Sequence, residues 1–343
     1  MTCSACLHTP AIPDKGIMVV SHPNPSIMSN LKLASQPAGE REFPYHTLKE
    51  AEDVLAQLEN EYSRHALEHF SFHVEEDGIS RMATSVPFFE WKERILRPDL
   101  VSVITNELFT THYQPILHLL SEGIYGYELL LRPIEGGPAF YPYELFQFAE
   151  RAGLQSLLDS RARVAAIRNS APHIQKGIKR FINFLPSSIY DPNHCLKTTF
   201  HAAAETGTDP ADLIFEVVET EEILDMNHLQ TILEVYKEKG MKVALDDLGA
   251  GHSTEEVLVR LKPNYVKIDR DLISFCDANI EKQQKIKNII KTSSDIHTLV
   301  LAEGIERKEE ADWCRLAGIQ LAQGYYFGRP SSADFYFQQN VTV

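Results

Sequence analysis

Apolar positions along this chain follow two periods, and the switch between them repeats. Tyr125-Gly-Tyr-Glu128-Leu-Leu-Leu-Arg132, Arg180-Phe-Ile-Asn183-Phe, Leu213-Ile-Phe-Glu216-Val-Val-Glu219, Val243-Ala-Leu-Asp246-Asp247, Tyr265-Val-Lys267-Ile-Asp269, Leu299-Val-Leu-Ala-Glu303 and Gln320-Leu-Ala-Gln323 read as short strands. Between them, Pro142 to Gly153, Leu154 to Arg168, Leu229 to Lys239, Glu281 to Ser293 and Lys308 to Ala317 repeat at helical spacing. The glycines after Asp247, then Ser253 with Glu256 three residues on, predict a tight loop and a capped helix. Alternation over about 230 residues is what an eight-stranded α/β barrel needs, and a doubly wound open sheet is the competing architecture. No GxGxxG or GxxxxGK[ST] occurs at a strand-to-helix turn, which removes support from the nucleotide-binding open sheets.

Upstream the pattern differs. Residues 1 to about 40 hold Cys3-Ser-Ala-Cys6 and several prolines, and read as an irregular tail. Leu48, Ala51, Val54, Leu55, Leu58, Tyr62 and Leu67 predict an amphipathic helix within Thr47 to Phe70. Phe70-Ser-Phe-His-Val alternates as a strand, and Ile79 to Phe89 reads as a returning one. The expected division is therefore a small α+β accessory region at 1–100 and a barrel at 105–335. Cys3-x-x-Cys6 lacks the second cysteine pair of a structural zinc site, so two reduced cysteines in a terminus is the simpler reading.

Composition narrows the function. The 343 residues carry 33 Lys+Arg against 48 Asp+Glu, a formal charge of −15, which opposes binding to polymeric nucleic acid or an anionic membrane. Five cysteines without regular spacing argue for a reducing compartment. Apolar runs too short for a membrane span and the lack of a leader-like N-terminus predict a cytoplasmic protein.

The chemistry collects at the strand ends, which carry Glu128, Asn183, Glu216, Asp246 with Asp247, Lys267, Glu303 and Gln323. In a barrel those ends converge on one face. Adjacent acids repel unless a positive charge neutralises them. With no Cys or His beside the pair, the ligand set is all oxygen and suits Mg²⁺ or Mn²⁺. Two such ions would screen a phosphate, lower the pKa of a bridging water and align an in-line displacement, which suggests phosphodiester hydrolysis.

These residues resemble the EAL domain family, phosphodiesterases that linearise cyclic di-GMP to pGpG. Glu128-Leu129-Leu130 stands for the name motif and leads to Arg132; Tyr113-Gln114-Pro115-Ile116 is similar to the entry strand, and Asn183 opens the next motif. Glu216 and Glu219, the pair Asp246-Asp247, Lys267, Ala302-Glu303-Gly304-Ile305-Glu306 and Gln323-Gly324-Tyr325 follow in order. The resemblance implies a TIM-like (β/α)8 barrel with one strand antiparallel. It implies metal ligation by Glu128, Asn183, Glu216, Asp246 and Glu303, with Asp247 serving the second ion. Lys267 and Gln323 would act around the attacking water, and Gln114, Arg132 and Glu306 would meet the substrate. Glu219 would steady the Asp246–Thr254 loop, beside which the family forms a homodimer. Leu129, Phe184, Leu185, Leu248 and Ala250 depart from the usual residues and bear on rate and regulation more than on chemistry. The alternative class is a non-catalytic receptor that signals by binding cyclic di-GMP; the complete residue set favours the enzyme.

Overall fold

The computed structural model describes residues 12–31, 42–76, 79–80, 85–217, 225–248 and 255–337. The chain divides into two compact units, Met1–Phe109 with Pro133–Leu158, and Thr110–Arg132 with Asp159–Val343.

The first unit holds a mixed α+β core. Strands β1 (Gly16–Ser21), β2 (Glu42–Tyr45), β3 (Ser71–Glu76) and β4 (Ile79–Ser80) pair in the order β2-β1-β3-β4, and β5 (Val86–Pro87) also pairs with β3. Helix Leu48–Glu61 starts where the Thr47 side chain accepts the Glu50 amide, and buries Ala51, Leu55 and Leu58. Met18, Val20, Phe43, Phe70, Phe72, Phe88 and Trp91 complete this core. Two expectations change here. The segment read as an irregular tail supplies β1 at the sheet's centre, and the return read as a strand to Phe89 turns helical at Phe88. Phe88, Trp91 and Ile95 follow a spacing of three and four, so the helical period wins over the local apolar run. Helix Pro142–Arg151 groups with this unit, where buried Arg94 donates from Nε to the Ala152 carbonyl at 2.7 Å.

The second unit is a closed barrel. Its strands are β6 (Phe109–His118), β7 (Ile124–Pro133), β8 (Lys179–Phe184), β9 (Leu213–Val217), β10 (Lys242–Leu248), β11 (Tyr265–Ile268), β12 (Leu299–Ala302) and β13 (Leu321–Gln323). Neighbours from β7 round to β13 run parallel, while β6 pairs antiparallel with β13 and joins β7 through the short turn Leu119–Gly123. The expected single reversed strand is therefore β6. Surrounding helices follow amphipathic logic. Met226–Glu238 begins at Asp225, which accepts the Asn227 and His228 amides, and buries Leu229, Ile232, Leu233 and Tyr236. Each such side chain contributes about 1.5–3 kcal/mol.

Inside the barrel, Ile116, Phe181, Ile214, Ala244, Tyr265, Leu301 and Leu321 form one buried cluster, a residue from each of seven strands. Because side chains alternate along a strand, the residue two positions nearer the C-terminal end faces inward as well. Those positions are Asn183, Glu216, Asp246, Lys267, Glu303 and Gln323. In the reversed β6 the corresponding position precedes the apolar layer, and it is Gln114.

Candidate active site

A polar layer thus rests on an apolar floor, and its geometry is dominated by one lysine. Lys267, 1% exposed, places Nζ 2.8 Å from Glu303 Oε1, 3.0 Å from Glu216 Oε1, 3.1 Å from Asp246 Oδ1 and 3.9 Å from Glu128 Oε1. Glu128 is held from two further sides: Gln323 Nε2 donates to Oε2 at 2.6 Å, and Asn183 Nδ2 donates to Oε1 at 3.0 Å. Six strands of the barrel, together with the end of β12, bring these seven side chains together.

The electrostatics follow from burial. Desolvation alone would lower the Lys267 ammonium, but Asp246, Glu128, Glu216 and Glu303 override it and hold the group well above the usual lysine range. Burial pushes the Glu216 and Glu303 carboxyls well above the usual range even beside Lys267. Burial acts on Glu128 the same way, yet Lys267 and the amides of Gln323 and Asn183 outweigh it and hold that carboxyl low. One ammonium cannot neutralise the surrounding acids.

The donor set fits a divalent cation. Oxygens of Asp246, Asp247 and Glu303 lie within 4.8 Å of one another. Asp247 adopts a left-handed φ of 51° at the strand's end. Glu216 has Lys267 Nζ 3.0 Å from Oε1, but its Oε2 and the Oε1 of Gln323 are buried with no hydrogen-bond partner. Orphaned buried oxygens are costly without a positive partner, and an all-oxygen set suits Mg²⁺ or Mn²⁺. Asn183, its amide nitrogen donated to Glu128, has its carbonyl oxygen left to offer.

The remaining expected residues fare differently. Gln114 is buried and donates to the Gly328 carbonyl at 3.3 Å. Arg132 is half-buried, donates to the Leu131 carbonyl at 2.7 Å and is lowered by burial against the opposing pull of Glu128. Glu306 stands apart from the cluster, paired with Arg270 Nη2 at 2.8 Å. Glu219 and the loop from Gly249 to Thr254 lie outside the described residues, as do Cys3 and Cys6. Sequence reasoning passed over Glu310, whose buried carboxylate accepts the Phe275, Glu306 and Arg307 amides and ties two strand-end loops together. Its signal was an acid three residues into a helix.

Comparison with known proteins identifies the family. The EAL domain family model matches residues 96–330. A standalone EAL protein from Vibrio cholerae O395, solved in a c-di-GMP bound form, is 36% identical with a TM-score of 0.60, covering 66% of this chain and 93% of that one. A manganese/cy-diGMP complex of Klebsiella pneumoniae BlrP1 is 29% identical with a TM-score of 0.59, covering 65% of this chain and 56% of that one. Among curated relatives, the probable cyclic di-GMP phosphodiesterase PdeG of Escherichia coli K12 is 30% identical over 69% of this chain and 47% of its own length. The chain spans about half the length of the first curated relatives it matches, 47% in each case. No helix among the described residues is long and apolar enough to cross a membrane. With a matched region that takes in every strand of the barrel and all seven residues of the polar cluster, the chain belongs to the EAL domain family.

Proposed function

We propose that this protein hydrolyses cyclic di-GMP to linear pGpG, using two Mg²⁺ or Mn²⁺ ions, in the cytoplasm and as a homodimer formed beside the Asp246–Thr254 loop. The observation that carries the reading is Lys267 set among Glu128, Glu216, Asp246 and Glu303 at the strand ends. Glu128, Asn183, Glu216, Asp246 and Glu303 would hold the first ion, and Asp247 the second. When bound, the ions supply the positive charge that offsets a phosphodiester and the Lewis acidity that activates water.

The chain's own groups do the rest. Lys267 is a fixed cation in a dry setting, placed to orient a water and steady charge that develops on phosphate oxygens. Gln323, with Nε2 committed to Glu128, keeps Oε1 free and would accept a hydrogen bond from the attacking water there. Arg132, near enough to Glu128 to feel its charge, and Gln114 would offer hydrogen bonds to the substrate's phosphates and bases. Glu219 would brace the loop after Asp247. The apolar layer beneath excludes bulk water from below.

The decisive experiment incubates the full chain with cyclic di-GMP and Mg²⁺ or Mn²⁺ and measures linear pGpG. Turnover abolished by a chelator is expected; saturable binding without turnover would leave a receptor and end the enzymatic reading.

A further inference from the structure

Behind the polar layer, Asp159 and Arg163 form an ion pair one turn apart on the helix Gln155–Ser170, at 2% and 1% exposure. So deep a pair is a poor source of stability, because desolvating two charges offsets their attraction. Its contacts point elsewhere. Asp159 Oδ1 accepts the Leu185 amide at 3.0 Å, and Oδ2 lies 2.5 Å from Ser188 Oγ, which is itself 2.7 Å from the Leu185 carbonyl. The turn held this way is the exit of β8, starting two residues after Asn183. On one side of β8 the ladder to β7 ends at Ile182; only the ladder to β9 continues through Asn183 and Phe184. Leu185 supplies the first backbone amide beyond the strand, and a buried carboxylate takes it.

We propose that Asp159 is a positioning residue for the metal centre. By anchoring the turn after β8 it fixes the height and rotation of Asn183, and through the Asn183 amide the orientation of the Glu128 carboxylate. Arg163 pairs with Asp159 and keeps it aimed, and is held in turn by Thr199 Oγ1, 3.2 Å from its Nε. The inference rests on the metal site proposed above.

Asp159→Asn in the full chain preserves volume and one acceptor for Leu185 while removing the charge that holds the turn. Mn²⁺ binding followed by calorimetry should weaken about tenfold with an unchanged circular dichroism spectrum. The Mn²⁺ concentration for half-maximal turnover should rise in parallel, with turnover at saturating Mn²⁺ retained. Mn²⁺ affinity within about twofold of the unaltered protein, in a folded variant, overturns the proposal. If Asp159→Asn does not fold, Ser188→Ala, which strands no charge, should weaken Mn²⁺ binding about threefold, and unchanged affinity there overturns it equally. An unaltered protein that binds no Mn²⁺ overturns the metal site and this inference together; one that binds Mn²⁺ as well as its Asp159→Asn variant overturns this inference alone.

Discussion

Lys267 Nζ stands 2.8 Å from Glu303 Oε1 across two adjacent parallel strands, the shortest of four contacts from that one ammonium. Lys267→Ala should therefore remove a fixed positive charge from the reacting centre and leave every oxygen ligand in place. We expect turnover to fall by about 100-fold or more with Mn²⁺ binding retained by calorimetry. An equal loss of metal affinity would assign Lys267 to holding the carboxylates instead.

The raised carboxyls make the metal-free protein sensitive to pH. Glu216 and Glu303 titrate well above 4.5 in the folded state, so between that ordinary value and their raised ones the native chain binds more protons than the unfolded one. Stability then falls as pH rises through that window. The chelated protein should melt at a higher temperature at pH ~5 than at pH ~8. Saturating Mn²⁺ should reverse the trend, adding about 2.7 kcal/mol at a hundredfold excess over its dissociation constant. A chelated protein whose melting temperature is flat over this range would contradict the burial argument.

Glu128→Gln looks conservative but is not. Both Glu128 oxygens accept from amide nitrogens, Asn183 on one and Gln323 on the other, so a glutamine must turn its own NH₂ against one of those donors. Expected are a loss of about 1–3 kcal/mol in unfolding free energy without metal and a weakening of metal binding by about 10–100-fold. Denaturant titration with and without Mn²⁺ measures both.

Gly324→Ala tests how closely two strand-end loops approach. A Cβ on Gly324 would lie 2.1 Å from the Ile305 carbonyl oxygen and 2.3 Å from its nitrogen, both rigid backbone. The Ile305 amide also donates to the Gln323 carbonyl at 3.1 Å, so the clash pushes Gln323 and the Glu303 loop apart. A loss of about 2 kcal/mol or more in thermal unfolding, with impaired turnover, is the expected result. Wild-type stability would show that these loops can yield.

What was legible in the sequence was local. Phe181-x-Asn183, Ile214-x-Glu216, Tyr265-x-Lys267 and Leu301-x-Glu303 each state, within three residues, an inward apolar group and an inward polar one, and strand periodicity does the rest. Nothing local could reveal β1, whose partner Ser71–Glu76 lies some fifty residues on and whose flanks carry Pro13, Pro23 and Pro25. The burial of Asp159 and Arg163 was hidden for a similar reason: an acid and an arginine four apart on a helix look like a solvated pair until a turn from another strand closes over them. Glu306 sits in a motif, yet pairs with Arg270 because the loop after β11 passes beside it, and that is a tertiary fact.

The reversal of β6 has a use in handling the protein. Because that strand runs against its neighbours, the turn Leu119–Gly123 emerges at the end of the barrel opposite the polar layer, with Leu120 75% exposed at its tip. A peptide tag or fluorophore attachment site inserted there stretches a hairpin tip and leaves β6, which carries Gln114, and β7, which carries Glu128, held by their ladders to β13 and β8. The barrel therefore carries a natural handle far from its chemistry, where an immobilised or labelled protein keeps its mouth clear.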